Sequence, residues 1–187
     1  MDLVARKGSA IPYRIEIVPF SDDEVFLRKT IDTLGRDADC IVGPVGSRAF
    51  VEHRSVLVLG TWECCIAVAR TDELASKARL TWDDLKGRKL MLVREGDSFV
   101  IDRMRQEIAE RHPGIEIVDA PYFYDADIFN ECDREGVVME TLDVWQDVHP
   151  AVATLPMEWD YRMPFGIVYT QNPSSEVADF IKLLSAK

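Results

Sequence analysis

"LTWDDLKGRKLMLVREGDSF", residues 80–99, carries the grammar of an α/β protein in one stretch. Thr81 and Asp84 have the spacing of a capping box, which starts a helical turn over "WDDLK". Gly87 closes that turn, and "KLMLVRE" (89–95) is a short apolar run that predicts a strand. "REGDS" then reverses the chain. Ser98 stands where an N-cap is wanted for "FVIDRMRQEIAERH", in which Ile101, Met104 and Ile108 recur at helical spacing. Pro113-Gly114 ends that helix.

The same alternation runs outward in both directions. Upstream, "RIEIVPF" (14–20) predicts a strand. Ser21 and Glu24 form a second capping box, and "EVFLRKTIDTLG" places Leu27, Ile31 and Leu34 on one helix face before Gly35 ends it. "ADCIVGP" (38–44) is a continuous apolar run of the buried-strand kind, "GPVGS" (43–47) a loop, and 55–60 and 63–70 two further strands. Downstream come the strand "IEIVDAP", a short polar helix over "DADIFNECDR", the strand "GVVME", a helical turn over "TLDVWQDVH", and the strands "AVATLPME" and "MPFGIVYT" (163–170). Asn172 and Pro173 open a last helix whose Val177, Phe180, Ile181 and Leu184 share one face. Strands alternating with helices predict an α/β fold with a mainly parallel sheet. No internal repeat or low-complexity linker divides the chain.

Bulk properties narrow the function. The 187 residues suffice for one domain or two small lobes, and no apolar run is long enough to span a bilayer. "MDLVARKGSAIPYR" has no apolar h-region, so a cytoplasmic location is expected. A net charge of −11 repels nucleic acid phosphates unless a local basic patch overrides the field, so tight DNA binding by these residues alone is not expected. Cys40, Cys64, Cys65 and Cys132 form no C-x-x-C, and no histidine pair has metal spacing; free, buried thiols and no metal or cofactor are expected. Cys64 and Cys65 are neighbours on one strand and so face opposite sides. No G-x-S-x-G or H-E-x-x-H motif occurs, and His53, His112 and His149 fall in loop or helix-end contexts, so no enzyme is expected.

In order and spacing, these segments resemble the effector-binding domain of LysR-type transcriptional regulators, relatives of the type 2 periplasmic binding proteins. The family's aspartate followed by two apolar residues resembles Asp39-Cys40-Ile41. Its "H-P-L-A" and "L-x-L-x-D-L" resemble Asp72-Glu73-Leu74-Ala75 and Leu80–Leu85. Its "G-L-G-I" resembles Arg134-Glu135-Gly136-Val137, and its closing "L-x-x-x-P-S-P-A-V-x-x-F-I-x-x-L" resembles Val168 through Leu184. The resemblance implies two α/β lobes joined by two crossing strands, "CCIAVAR" and "MPFGIVY". Lobe I would hold residues 1–69 and 163–187, and lobe II residues 70–162. It further implies a cleft between the lobes for a small-molecule effector, a homodimer or higher homo-oligomer, and DNA contact only through a winged helix-turn-helix that this sequence does not contain. Two departures stand out. The family's first strand has no counterpart ahead of "RIEIV", and "FNECDREG" is polar and acidic where the family has an apolar helix. A stand-alone solute-binding protein and an enzyme on the same fold are the alternatives.

The candidate ligand-binding residues follow. Glu95-Gly96-Asp97-Ser98 lies at a strand's C-terminal end and a helix N-terminus, where open α/β sheets take ligands and unpaired N–H groups favour an anion. Ser98 either caps the helix, contacts a ligand, or does both. Ser21-Asp22 opens the first helix in the same manner. The Gly43–Ser47 loop adds Gly46 and Ser47, and is not a phosphate-binding P-loop because no G-K-[ST] follows. Tyr122, Phe123 and Tyr124 either line the cleft or pack in the core. Phe99, Tyr124 and Phe129 complete the ligand-binding set. Trp62 and Trp159, near the crossing strands, are expected to pack.

Overall fold

The computed structural model describes residues 13, 15, 16, 18, 24–121 and 126–186. Helix α1 (Glu24–Asp32) leads into Gly35, whose φ of +89° is open to glycine at little cost and ends the helical run. Strand β1 (Cys40–Pro44) is followed by a loop and the single-turn helix α2 (Arg48–Val51). Strand β2 (Ser55–Ala69) comes next, then two 3₁₀ turns (Glu73–Ser76 and Trp82–Leu85) and β3 (Lys89–Leu92). Helix α3 (Phe99–Arg111), β4 (Glu116–Asp119), α4 (Ala126–Glu135), β5 (Val138–Leu142), β6 (Val152–Pro156), β7 (Arg162–Tyr169) and α5 (Ser175–Ser185) complete the chain.

The strand order is β1-β7-β2-β5-β3-β4, with β6 also paired to β2. The α/β class holds, and the pairing is mixed. β3 runs parallel to β4 and β5, while β1–β7, β2–β7, β2–β5 and β2–β6 are antiparallel. The expectation of mainly parallel sheets is thus corrected for the described residues. An apolar run marks a buried strand but does not encode its direction.

The expected strands 55–60 and 63–70 are one strand. Gly60, which resembled a break, sits at a register shift in the β2–β7 ladder. A Cβ there would come within 2.9 Å of the Phe165 ring, so the missing side chain admits that ring and lets the strand continue. As a result β2 runs through both halves of the sheet. Ser55–Glu63 pairs with β7, and Cys64–Ala69 pairs with β5 and β6. The return crossing, between β6 and β7, is pinned to it. The Cys64 N–H donates to the Tyr161 carbonyl (3.0 Å), and the Trp159 indole N–H donates to the Cys64 carbonyl (2.7 Å).

Two apolar layers flank the second half of the sheet. Cys64, Ile66 and Val68 face a core with Leu90, Leu92, Ile101, Met104 and Ile108. Ala67 faces the other, with Met91, Met139, Ile128, Phe129 and Cys132. Side chains on neighbouring strand positions therefore do face opposite ways, as Cys64 and Cys65 suggest. The α3 stripe of Ile101, Met104 and Ile108 is fully covered, and such side chains contribute about 1.5–3 kcal/mol each on burial.

Local signals fare unevenly. The Thr81 N–H donates to Asp84 Oδ2 (2.9 Å), completing the capping box, and Lys77 pairs with the same carboxylate. Asp84 is held below its usual range by Lys77 first and the Thr81 N–H second. The last helix starts two residues later than Pro173 suggests. Ser174 is its N-cap and accepts from the Val177 N–H (3.3 Å). "TLDVWQDVH" forms only a 3₁₀ turn over Asp143–Trp145, because β5 extends to Leu142. Tyr13, Ile15, Glu16 and Val18 lie outside any strand, and the rest of "RIEIVPF", the Ser21 capping box and the question of a missing first strand lie outside the described residues.

Candidate functional site

Because β3 is parallel to β4 and β5, the C-terminal ends of all three point to one edge, and that edge meets Cys64 of β2 through the Cys64–Leu142 pair. Two loops meet there. One leaves β1 and carries Val45, Gly46 and Ser47. The other leaves β3 as "VREGDS" and enters α3.

The loops are joined as a short antiparallel bridge between Ser47 and Ser98. The Arg48 N–H donates to the Asp97 carbonyl (3.3 Å), and the Phe99 N–H donates to the Gly46 carbonyl (3.3 Å). These bonds flank the serine pair, which makes it the non-hydrogen-bonded pair of the ladder, with its side chains close together. The Val45 N–H donates to the Pro164 carbonyl (2.8 Å), fastening the first loop to β7. A Cβ on Gly46 would lie 2.5 Å from Met163 Sδ and 3.3 Å from Ser98 Oγ, so any side chain there would have to displace the Met163 thioether.

Ser98 occupies the N-cap position of α3, yet its hydroxyl makes no capping bond. The residue is 6% exposed, and its Oγ has no hydrogen-bond partner among the described residues. An unpaired buried hydroxyl costs about 1–3 kcal/mol. Ladder geometry explains the lost cap, since the bridge to Ser47 turns the hydroxyl toward Gly46. The turn is anchored instead by Asp102. Its Oδ1 accepts from the Gly96 N–H (2.8 Å), and its Oδ2 accepts from the Arg48 guanidinium (3.3 Å). Gly96 has a φ of +93°, which the turn needs.

The structure therefore brings together Gly46, Ser47, Asp97, Ser98 and Phe99, the last 43% exposed at the seam. Phe129 is elsewhere. It is 3% exposed in the core under α4, with its ring stacked on His149 at 6.0 Å. Ser21, Asp22, Tyr122, Phe123 and Tyr124 lie outside the described residues. Three seam residues had no sequence signal. Met163 and the Arg48–Asp102 pair meet the site through contacts across long stretches of chain, and Asp102 also takes the Gly96 N–H six residues before it.

The second crossing also reaches α3. The Tyr161 hydroxyl donates to Glu107 Oε2 (2.6 Å) and lies 3.3 Å from the Arg103 carbonyl. Burial first, and the Glu107 carboxylate second, push the Tyr161 phenol up. Trp62 stacks on Phe165 (4.4 Å), and Trp159 is buried in the core edge-on to Trp82 (5.3 Å) and Tyr161 (5.8 Å), so these two rings pack as expected.

All four cysteines are free, and Cys64, Cys65 and Cys132 are buried. Burial, with nearby carboxylates second, pushes Cys40 up to about 11 and Cys65 and Cys132 up to about 12, and raises Cys64 as well. Such thiols are poor nucleophiles. Among the described residues no group of three or more His, Cys, Asp and Glu side chains is placed to hold a metal, and no helix is long and apolar enough to cross a membrane.

No protein-family model matches the chain, and no curated protein sequence does. Solved structures do. The effector binding domain of QuiR in complex with shikimate superposes with a TM-score of 0.63 at 14% identity, over 84% of this chain and 75% of that one. The oxidized form of OxyR gives 0.59 at 16% identity, over 86% and 76%. The BenM effector binding domain with its effector benzoate gives 0.59 at 11% identity, over 84% and 72%. The chain has the fold of the effector-binding domains of LysR-type regulators, that of the type 2 periplasmic binding proteins.

Proposed function

We propose that this chain is the ligand-sensing effector-binding domain of a LysR-type transcriptional regulator. Lobe I comprises residues 1–69 and 163–187, lobe II residues 70–162, and the ligand is a small metabolite held between them. Gly46, Ser47, Asp97, Ser98 and Phe99 form the described part of its site, and Ser21, Asp22 and Tyr124 are proposed to extend it. The observation that carries this reading is the buried, unpartnered Ser98 hydroxyl at the seam of two loops, at the C-terminal end of a parallel strand.

Ligand binding changes how the two loops meet. That re-poses the lobes, and with them a winged helix-turn-helix outside this sequence, by hinge motion about the crossings at Cys64 and Tyr161. The domain works as a homodimer or higher homo-oligomer in the cytoplasm, it senses and does not catalyse, and DNA contact belongs to the helix-turn-helix. The net charge of −11 fits that division of labour.

A thermal-shift screen of small carboxylates, alcohols, sugars and aromatic compounds tests the reading. A ligand at 100 times its dissociation constant adds about 2.7 kcal/mol to stability. Ser98→Phe, which fills the seam, abolishes the shift. A shift that survives Ser98→Phe unchanged places the ligand elsewhere and refutes the site.

A further inference from the structure

We infer that the ligand taken at this seam presents one singly charged carboxylate to the head of α3, whose unpaired donors and dipole receive it, and that the acids beside the turn disfavour a phosphate or a second acid group. The inference rests on the reading of the seam as the ligand site and names the chemistry of the group held there.

The N–H groups in the first turn of a helix have no acceptor inside it, so each pairs outside the helix or stays unpaired. At the head of α3 the Phe99 N–H donates to the Gly46 carbonyl (3.3 Å). The Val100 and Ile101 N–H groups have no acceptor among the described residues, although Val100 is 4% exposed and Ile101 is fully buried. An N-cap serine ordinarily supplies that acceptor. Here Ser98 makes no capping bond, and its hydroxyl is itself buried without a partner among the described residues. Asp102 does not fill the place, because its oxygens take the Gly96 N–H (2.8 Å) and the Arg48 guanidinium (3.3 Å). Nearly every buried N–H in a folded protein is paired. Two unpaired N–H groups and an unpaired hydroxyl at one helix end mark the place of an acceptor that comes from outside the chain.

A carboxylate suits that place. The helix dipole puts about half a positive charge there, and charge-assisted bonds are roughly twice as strong as neutral ones. A carboxylate also brings two acceptor oxygens for the N–H groups and the Ser98 hydroxyl. The surrounding charges set a limit. Asp97 and Asp102 stand beside the turn; Asp102 is offset by Arg48, and Asp97 pairs with no cation among the described residues. One ligand charge meets the donors and the dipole at contact distance. A second charge would find no further donor and would face Asp97 beside a low-dielectric core. The Phe99 ring, 43% exposed, and the Met163 thioether against Gly46 offer apolar surface next to the acid group. The match is a monocarboxylate with an apolar body.

The test titrates the intact, isotope-labelled chain and follows its amide resonances by NMR. The probes are acetate, benzoate, benzyl alcohol and phenyl phosphate. Acetate is the acid group alone, and the other three share one ring. Acetate and benzoate should move the Val100 and Ile101 amide protons downfield, as new hydrogen bonds do. Benzoate should bind at least tenfold more tightly than benzyl alcohol or phenyl phosphate. Ser98→Ala should weaken benzoate at least tenfold, Ser98→Thr, which keeps the hydroxyl, should not, and Asp97→Asn should narrow the gap between phenyl phosphate and benzoate. Benzyl alcohol or phenyl phosphate binding more tightly than benzoate, with the same two amides moving and the same dependence on Ser98, overturns the ligand class and leaves the site standing. Carboxylates that bind without moving these amides, or that ignore Ser98, overturn the site and the class together. No movement of the two amides with any of the four probes overturns the class, and the Ser98→Phe screen then decides the site alone.

Discussion

Gly46→Ala is the sharpest structural test of the seam, because two effects with opposite signs compete there. Gly46 is not among the glycines with positive φ, so alanine fits its backbone. The entropy of the unfolded chain alone would then make the substitution stabilising by about 0.4–1 kcal/mol. The side chain decides otherwise. The new Cβ would sit 2.5 Å from Met163 Sδ and 3.3 Å from Ser98 Oγ, and Met163 is itself buried. Relieving that overlap costs about 1–3 kcal/mol. The net expectation is a loss of roughly 1–2 kcal/mol, and at roughly 2–4 °C per kcal/mol for a domain of this size the melting temperature falls by several degrees. Urea unfolding measures it, with the slope required to stay constant. The double variant Gly46→Ala/Met163→Ala should be more stable than the sum of its single changes implies, by about 0.5–3 kcal/mol. A stabilised Gly46→Ala protein, or strict additivity in the double variant, would refute the close approach of these loops.

Three further expectations follow from other contacts. Ser98→Ala removes a hydroxyl that has no partner, so the ligand-free chain should keep its stability or gain up to about 2 kcal/mol; a loss above about 1 kcal/mol in urea would show that the hydroxyl is bonded after all. Tyr161→Phe deletes the bond to Glu107 and should lower stability by about 1–2 kcal/mol at neutral pH. Because burial raises the Tyr161 phenol, its contribution is present below the unfolded tyrosine's value and is lost as pH rises through the folded one, so Tyr161→Phe should flatten the alkaline limb of a stability–pH curve. The thiols act with the same sign. From an ordinary value of 9.0, Cys40 is raised to about 11 and Cys65 and Cys132 to about 12, so stability should decline from about pH 9 through these values. Iodoacetamide should label Cys65 and Cys132 only on unfolding, and fast native labelling would contradict their burial.

Local features were legible where the information is local. The α3 stripe of Ile101, Met104 and Ile108, the Thr81–Asp84 box and the stop at Gly35 each follow from residues within a few positions of one another. Elements that depend on distant partners were not. Gly60 resembles a break until the Phe165 ring is placed over it, and only then does β2 become one strand. Strand direction is absent from a period-two pattern, which is why the antiparallel ladders of β2 were missed. The site divides the same way. Strand-end and cap chemistry pointed to Asp97 and Ser98, and a glycine-rich loop pointed to Gly46 and Ser47. Arg48 and Asp102 pair across 54 positions, and nothing near either one announces the contact. Phe129 shows the converse, since an aromatic on a polar helix suits a cleft as well as a core until the α4 face is seen packed on Ala67 and Met139.

The most direct test of the central claim is amide hydrogen exchange, followed by mass spectrometry, with and without a small molecule that raises the melting temperature. The account predicts added protection concentrated in the loops over residues 45–48 and 96–101, with smaller changes at the crossings around Cys64 and Tyr161. Protection confined to other surfaces, with both loops unchanged, would contradict the seam as the ligand site.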